Sequence, residues 1–185
     1  MARIVFLSRN NEGHLFQAMT LAQTLRQRGH DVTLVSEPVK AADIAGRFGI
    51  DFVPLSSADV PTRWLAKLLP VIGTAMFCRA DLVRIKMFQV LAEAMLLKGP
   101  DIVASLQPDV VVVDQNVVAG GSVCEKLKLP FVSLATSVPW HAEESVVPHW
   151  VGWPHNTSAA ALRKNRWGNW GFEVYMRPAM NVINE

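Results

Sequence analysis

Residues 108–116 read Pro-Asp-Val-Val-Val-Val-Asp-Gln-Asn, and this stretch decides the fold class. Four consecutive valines at 110–113 predict a strand that is buried on both faces, which is typical of the centre of a parallel sheet. The run ends at Asp114, and the carboxyl ends of the strands are where open α/β sheets bind their ligands. The stretch therefore predicts a parallel sheet and the edge at which a site would form.

The first 36 residues predict a strand, a helix and a second strand. Residues 4–7 are continuously apolar. Apolar residues then recur at the spacing of one helix face, in Leu15, Ala18, Met19, Ala22 and Leu25. Gly29 stands where glycine commonly ends a helix, and residues 31–36 are rich in β-branched side chains, as strands are. The chain therefore opens with a βαβ unit.

The same alternation continues on both sides of the valine run. A second helix is predicted around residues 40–48, ending near Gly49, and a short third strand at 51–54. After the valines, residues 117–128 have helical character and residues 130–134 predict another strand. This order predicts an α/β fold with a doubly wound, mostly parallel, Rossmann-like sheet.

A long insert separates the third strand from the valine run. Residues 61–95 are mostly helical in character, with Pro70 and Gly73 as expected breaks. Pro100 is expected to start a separate short helix that runs toward Gln107, because proline is favoured at the first helical position. The insert is therefore predicted to be helical but interrupted.

The last part of the chain differs from the rest. Residues 1–138 are expected to form the Rossmann-like core, and residues 139–185 a tryptophan-rich loop followed by a helix from about Phe172. Five tryptophans stand among Pro, Gly, His and Asn in this part: Trp140, Trp150, Trp153, Trp167 and Trp170. Aromatic side chains often line small-molecule pockets, and an exposed apolar patch favours association with another surface.

Composition narrows the classes of protein. The chain has 185 residues, half of them hydrophobic, and a formal net charge of +2, which is typical of a globular protein. Lys and Arg are spread among acidic residues, so we expect no nucleic-acid partner. Neither a signal peptide nor a membrane span is evident, so we expect a cytoplasmic protein. Cys78 and Cys124 lie far apart without companions for a zinc site, so we expect reduced thiols and no metal.

His14 and Asp114 are the candidates for chemistry. His14 opens the first helix and Asp114 ends the valine strand, so both follow strands and could face one another. A helix N-terminus disfavours imidazolium, and a neutral imidazole can accept a proton. A carboxylate on the other ring nitrogen would fix the tautomer and stabilise the developing charge. Structural explanations also exist, since such a His is often solvated and such an Asp often begins a turn.

The first strand–helix turn also invites comparison with dinucleotide-binding proteins. Glu37 lies where a ribose-binding acid would follow the second strand. Residues 8–13, however, contain one glycine where that fingerprint needs three, so the backbone could not easily approach a pyrophosphate. A dinucleotide-binding Rossmann protein therefore stays a weak alternative.

Several motifs resemble those of UDP-glycosyltransferases with the GT-B fold. Gly13-His14-Leu15 and the stretch Ala-Gln-Thr-Leu-Arg-Gln-Arg-Gly-His-Asp-Val-Thr at 22–33 are similar to the opening of these enzymes. Residues 113–115, 119–121 and 129–133 resemble the corresponding part of bacterial macrolide-type and zeaxanthin glucosyltransferases, with the carotenoid branch closer. The resemblance covers nearly the whole chain and is weakest in the insert, which shapes the acceptor pocket in that family.

The resemblance implies an acceptor-binding N-terminal half of an inverting hexosyltransferase. His14 would deprotonate an acceptor hydroxyl for attack on the anomeric carbon of a UDP-sugar co-substrate, and Asp114 would bond to His14. Gly13 would allow close approach at the turn, or serve only the start of the helix. The family's donor-binding domain, with its His- and Gly-rich motif, has no counterpart in the sequence. The chain would then be a truncated remnant, a fragment of a longer protein, or one subunit of a split transferase whose partner is a separately encoded donor-domain protein.

The same resemblance suggests acceptor contacts. Gln115, Trp140 and His141 are candidates to bind a hydrophobic small-molecule acceptor, although a solvated loop is the simpler explanation for His141 and for the nearby Glu143. The apolar residues 65–77 would suit peripheral contact with a membrane, or burial in the acceptor pocket. A non-catalytic acceptor-binding or partner-docking module, or one subunit of a split transferase, is the alternative to a complete enzyme.

Overall fold

A computed structural model describes residues 1–55, 77–140 and 142–184. Its sheet has five strands within these ranges, in the order β3-β2-β1-β4-β5, and every neighbouring pair is parallel. The strands are β1 (Arg3–Leu7), β2 (Asp31–Ser36), β3 (Asp51–Pro54), β4 (Val110–Asp114) and β5 (Phe131–Leu134). The predicted parallel α/β sheet is confirmed.

Helices cover both faces of the sheet, as a doubly wound fold requires. They are α1 (Glu12–Gln27), α2 (Pro38–Phe48), α3 (Phe77–Leu106), α4 (Gly120–Lys126) and α5 (Ala159–Asn184). Phe6 and Val112 pack with α1 and α2 on one face, while Leu7, Val111 and Val113 pack with α3 and α4 on the other. The valine strand is therefore buried on both faces, because its side chains alternate between two helical layers.

The strand order reverses between β1 and β4. From β1 the chain moves through β2 to β3 on one side, then crosses over to place β4 on the other side of β1. Leu7 lies opposite Val113, so β1 and β4 end side by side. In open α/β sheets, such a switch point leaves a crevice at the carboxyl ends of the strands.

Three predicted helix boundaries are wrong. Helix α3 runs without interruption through Pro100, because burial of Met95 and Val103 against the sheet and α4 outweighs the lost backbone hydrogen bond. Helix α5 begins at Ala159, well before Phe172, with Ser158 at its start. Helix α4 begins at Gly120 rather than near residue 117. The breaks expected at Pro70 and Gly73 lie outside the described residues.

Cys124 is a residue of α4 whose free thiol is buried in the core between this helix and the sheet. Burial raises the pKa of this thiol to about 11, and the charge of Glu125 adds to the shift. A protonated thiol is a poor nucleophile and metal ligand, so Cys124 has the chemistry of a packing residue. The side chain of Cys78 lies outside the described part of the chain. No helix in the described ranges is long and apolar enough to cross a bilayer.

Two adjacent glycines in α4 give a prediction about stability. A β-carbon on Gly120 would lie 2.5 Å from Val113 Cγ1, whereas one on Gly121 would meet only Phe131, at 3.4 Å. Gly120→Ala should therefore lower the free energy of unfolding by about 1–3 kcal/mol through overpacking. Gly121→Ala should leave it unchanged or raise it by up to about 1 kcal/mol through helix propensity. Urea titrations of the two variants check this, and equal stability would contradict it.

Candidate active site

His14 is held at the switch point by the start of α1. The side chain of Asn11 accepts a hydrogen bond from Gly13 N, and His14 N donates to Asn11 O at 3.0 Å. This arrangement satisfies backbone donors that would otherwise be unpaired in the first turn of the helix. The imidazole of His14 is thereby directed across the end of β1 toward β4.

The imidazole meets the carboxylate that ends the valine strand. His14 Nδ1 lies 2.8 Å from Asp114 Oδ2. The Asp114 side chain is fully buried, whereas that of His14 is 20% exposed. The two candidates are therefore brought together, with the carboxylate inside the protein and the imidazole between it and solvent. Their catalytic roles remain predictions.

Asp114 is surrounded by hydrogen-bond donors. Its Oδ1 accepts from Thr136 Oγ1 at 3.1 Å and from the backbone N–H of Asn116 at 2.9 Å. Its Oδ2 accepts from Ser8 Oγ at 3.3 Å, in addition to its contact with His14. A buried charge without such partners would cost several kcal/mol, so these donors explain how a carboxylate is accommodated in the core.

Sequence reasoning missed three of these residues, namely Ser8, Asn116 and Thr136. Each follows a strand by one or two residues, β1, β4 and β5 respectively. The rule that led to His14 and Asp114, polar side chains just after parallel strands, would have found them. After β5, the sequence-based candidates were His141 and Glu143, which lie further from the end of the strand than Thr136.

Gly13 and Gln115 have structural roles. The space around Gly13 is open, since a β-carbon there would meet only Asn11 Oδ1, at 3.5 Å. Its N–H serves the start of α1, and close approach of a ligand at Gly13 stays a prediction. The amide of Gln115 donates to Ser137 Oγ at 2.8 Å and to the carbonyl oxygen of Val138. Gln115 therefore braces the segment that follows β5.

Trp140 belongs to an aromatic cluster. Its ring stacks on His149 with centroids 5.7 Å apart, and it meets Phe88 and Phe172 edge-on. Burial lowers the pKa of His149, which favours a neutral ring in this apolar setting. His141, its neighbour among the predicted acceptor contacts, lies outside the described residues. Glu143 is exposed, and its carbonyl oxygen accepts from Asn169 in α5.

A small cavity is lined by Ser8 and Asn116, two residues that also donate to Asp114. Arg9 and Glu37 lie in its wall, beside apolar groups that include Phe88. The guanidinium of Arg9 lies 5.1 Å from the centroid of the Phe88 ring. Burial lowers the pKa of Arg9, although the charges of Glu37 and Asp114 oppose the shift. The remaining lining residues are Ser36, Leu55, Leu91, Met95, Val117 and Val118.

The loop between β1 and α1 is tied to α2. Asn10 Oδ1 accepts from Lys40 N and Ala41 N at 2.9 and 3.1 Å, and Asn10 N donates to Glu37 Oε2 at 2.8 Å. The groups that would serve a dinucleotide are therefore engaged within the protein, which weighs against that alternative. In the described ranges, no three His, Cys, Asp or Glu side chains are grouped to hold a metal ion.

Comparison with known proteins gives the fold. Solved structures similar to this chain include the glycotransferase of kitacinnamycin (20% identity over 74% of this chain and 30% of that one, TM-score 0.55). They also include the glycosyltransferase SnogD from Streptomyces nogalater, at 18% identity over 96% of this chain and 39% of that one, with a TM-score of 0.55. The calicheamicin glycosyltransferase CalG4 is similar at 19% identity over 100% of this chain and 46% of that one, with a TM-score of 0.54. The chain spans less than half the length of each.

These likenesses, at 20% identity or less, concern the fold. The five-stranded parallel sheet flanked by helices is that of an N-terminal GT-B-like domain, as the resemblance of the motifs predicts. Neither protein-family models nor the sequences of curated proteins match the chain.

Proposed function

We propose that this chain binds a hydrophobic, hydroxyl-bearing acceptor and activates its hydroxyl for glycosyl transfer from a nucleotide sugar. The main observation that supports this proposal is the contact between His14 Nδ1 and Asp114 Oδ2 at the switch point of a GT-B-like sheet. The glycosyltransferase fold of the structural neighbours supports the same class of reaction. Carotenoid diols are the acceptor class suggested by the resemblance of the motifs.

The geometry supports a general-base step at His14. When Nδ1–H donates to Asp114, the lone pair of the imidazole is on Nε2, which can take the proton of an acceptor hydroxyl. The acceptor oxygen then attacks the anomeric carbon, the bond to the nucleotide diphosphate breaks, and the configuration at that carbon inverts. Asp114 stabilises the imidazolium that forms, as in other His–Asp pairs.

The cavity next to the pair has a volume of about 20 Å³, room for about one water molecule, so its apolar wall could border an acceptor site but could not contain an acceptor. Phe88, Leu91, Met95 and Val118 contribute its apolar wall, and the edge contact of Phe88 with Trp140 joins this wall to the aromatic cluster. Apolar walls with a few polar groups are typical of small-molecule sites. The nucleotide sugar would be held mainly by a donor-binding domain, supplied by the same polypeptide or by a separately encoded partner.

A transfer assay tests this proposal. The purified chain is incubated with UDP-glucose and zeaxanthin, alone and with soluble lysate of its source cells, and glucoside is measured by mass spectrometry. His14→Ala removes the proposed base, and His30→Ala is the matched control, because His30 lies near the opposite end of the sheet, where its Nδ1 accepts from Ala2 N. Transfer that needs His14 but not His30 supports the proposal. Transfer that survives His14→Ala overturns it.

A second candidate function is that of a partner-docking module. Trp167 and Trp170 project from α5 with 69% and 54% of their surface exposed, and Trp150 beside them is 52% exposed. Large exposed aromatic side chains in one patch are typical of protein–protein contact sites. Under this alternative the chain binds acceptor or partner without catalysing transfer, so acceptor binding would persist where no glucoside forms.

The exposed tryptophans predict self-association of the isolated chain. Replacing Trp167 and Trp170 together by glutamine should shift the chain toward monomer, raising the apparent dissociation constant roughly tenfold, because about 1.4 kcal/mol of contact energy corresponds to that factor. Sedimentation velocity over a concentration series measures the shift. Leu97→Gln is the matched control, since Leu97 is 73% exposed on α3. An equal effect of both changes would contradict a specific role for the tryptophans.

A further inference from the structure

Thr136 contacts both members of the His14–Asp114 pair. It lies two residues after β5, and the pairing of Asp114 with Leu134 brings this segment alongside the end of β4. Thr136 is 5% exposed, whereas its neighbours Ala135 and Ser137 are exposed. One polar side chain of an exposed segment is therefore turned inward, onto the candidate site.

The hydrogen atoms at this contact can be assigned from donor and acceptor counts. Thr136 Oγ1 lies within hydrogen-bond distance of both His14 Nδ1 and Asp114 Oδ1. A hydroxyl has one hydrogen to donate, and an ionised carboxylate can only accept. Thr136 therefore donates to Asp114, so its oxygen must accept from His14. This requires the proton of a neutral imidazole to be on Nδ1, which leaves the lone pair on Nε2.

Thr136 differs from the other partners of Asp114 in this respect. Ser8 and Asn116 donate to the carboxylate, but neither contacts the imidazole. Among the described residues, Thr136 alone contacts both groups through one atom. Two acceptors, Asp114 Oδ2 and Thr136 Oγ1, consequently share the single hydrogen of Nδ1, which favours the Nδ1–H tautomer and restricts rotation of the ring.

We infer that Thr136 is a positioning residue, which locks His14 in the Nδ1–H tautomer and in the ring orientation that a base requires. The inference rests on the proposed function for its catalytic meaning, but the hydrogen-bond arrangement itself can be observed without any transfer reaction. It predicts that removing the hydroxyl loosens the imidazole while the fold and Asp114 stay in place.

Nuclear magnetic resonance of the isolated chain provides the test. Imidazole ¹⁵N shifts report the tautomer of each of the five histidines, and loss of one set of signals in His14→Ala assigns that residue. Exchange of the Nδ1 proton with water reports how firmly it is held. Thr136→Val removes the hydroxyl at similar size, Thr136→Ser restores it, and Ser8→Ala removes a donor to Asp114 that does not contact His14.

In the parent chain, His14 should show the Nδ1–H tautomer with a slowly exchanging proton. Thr136→Val should speed that exchange at least tenfold and make the Nε2–H tautomer detectable, whereas Thr136→Ser and Ser8→Ala should behave like the parent. Exchange and tautomer unchanged in Thr136→Val would overturn the inference, and so would equal loosening in Ser8→Ala. If amide spectra show that the valine variant is unfolded, Thr136→Ala provides the same comparison.

The outcome does not depend on the transfer assay. A chain that shows no transfer but the expected imidazole behaviour would contradict the proposed function and leave the positioning role intact. Where transfer is measurable, Thr136→Val should lower kcat about tenfold with KM nearly unchanged, because the acceptor site is not altered.

Discussion

Replacing His14 by alanine is expected to lower the rate of glycosyl transfer by about 10²–10⁴-fold, the usual contribution of a general base. In the proposed mechanism Nε2 of His14 accepts the proton, because Nδ1 is hydrogen-bonded to the buried carboxylate of Asp114. The measurement is kcat/KM for glucoside formation under the conditions in which the unaltered chain is active. His30→Ala should retain full activity.

The same variant should keep its acceptor affinity. The substitution removes the imidazole but leaves the apolar cavity walls, including Phe88, in place. Quenching of tryptophan fluorescence by the acceptor should therefore give a dissociation constant within about twofold of the parent value. A large loss of binding together with activity would mean that His14 holds the acceptor rather than deprotonates it.

Asp114→Asn is expected to reduce kcat by about 10³–10⁴-fold, comparable with the loss when the aspartate of a Ser-His-Asp triad is changed in the same way. The amide has nearly the shape of the carboxylate, but its NH₂ can donate to Nδ1, which moves the ring proton to Nε2 and removes the lone pair that a base needs. The negative charge that stabilises imidazolium is also lost.

Asp109→Asn is the matched control for this change. Asp109 precedes β4 at the opposite end of the sheet, where Oδ2 accepts from Arg3 N at 2.7 Å. Its activity should remain within about twofold of the parent, because surface substitutions usually change stability by no more than about 0.5 kcal/mol. If Asp114→Asn were as active as Asp109→Asn, the pair would have no catalytic role and Asp114 would be a structural residue.

The sheet and the His14–Asp114 contact were accessible from the sequence. The valine run predicted a strand buried on both faces. An apolar run of this length can be recognised from local sequence alone, without knowledge of distant contacts. Once β4 was identified as central, polar residues at strand ends could be grouped by topology alone. His14 and Asp114 are 100 residues apart in sequence, yet the switch point places them together.

The errors came from interactions between distant parts of the chain. Helix α3 continues through Pro100 because α3 packs against the sheet, α4 and α5, and such packing outweighs local propensity. The early start of α5 had a local signal in Ser158, whose hydroxyl accepts from Ala161 N. The many tryptophan, glycine and asparagine residues that follow it favoured a loop instead. The position of Thr136 just after a strand is a local signal, but its contact with both His14 and Asp114 depends on the register between β4 and β5, which the sequence does not reveal.

The crossover that sets β4 beside β1 also determines when the site can exist as the chain folds. The contacts from β1 to β3 are local in sequence, so they are expected to form faster than the pairing of β1 with β4. Pairing β1 with β4 requires closure of a segment of about 100 residues, and contacts of such high order form slowly. His14 can contact Asp114 only after β4 has paired with β1. The Nδ1 proton of His14 would therefore report the formation of the β1–β4 pairing during folding.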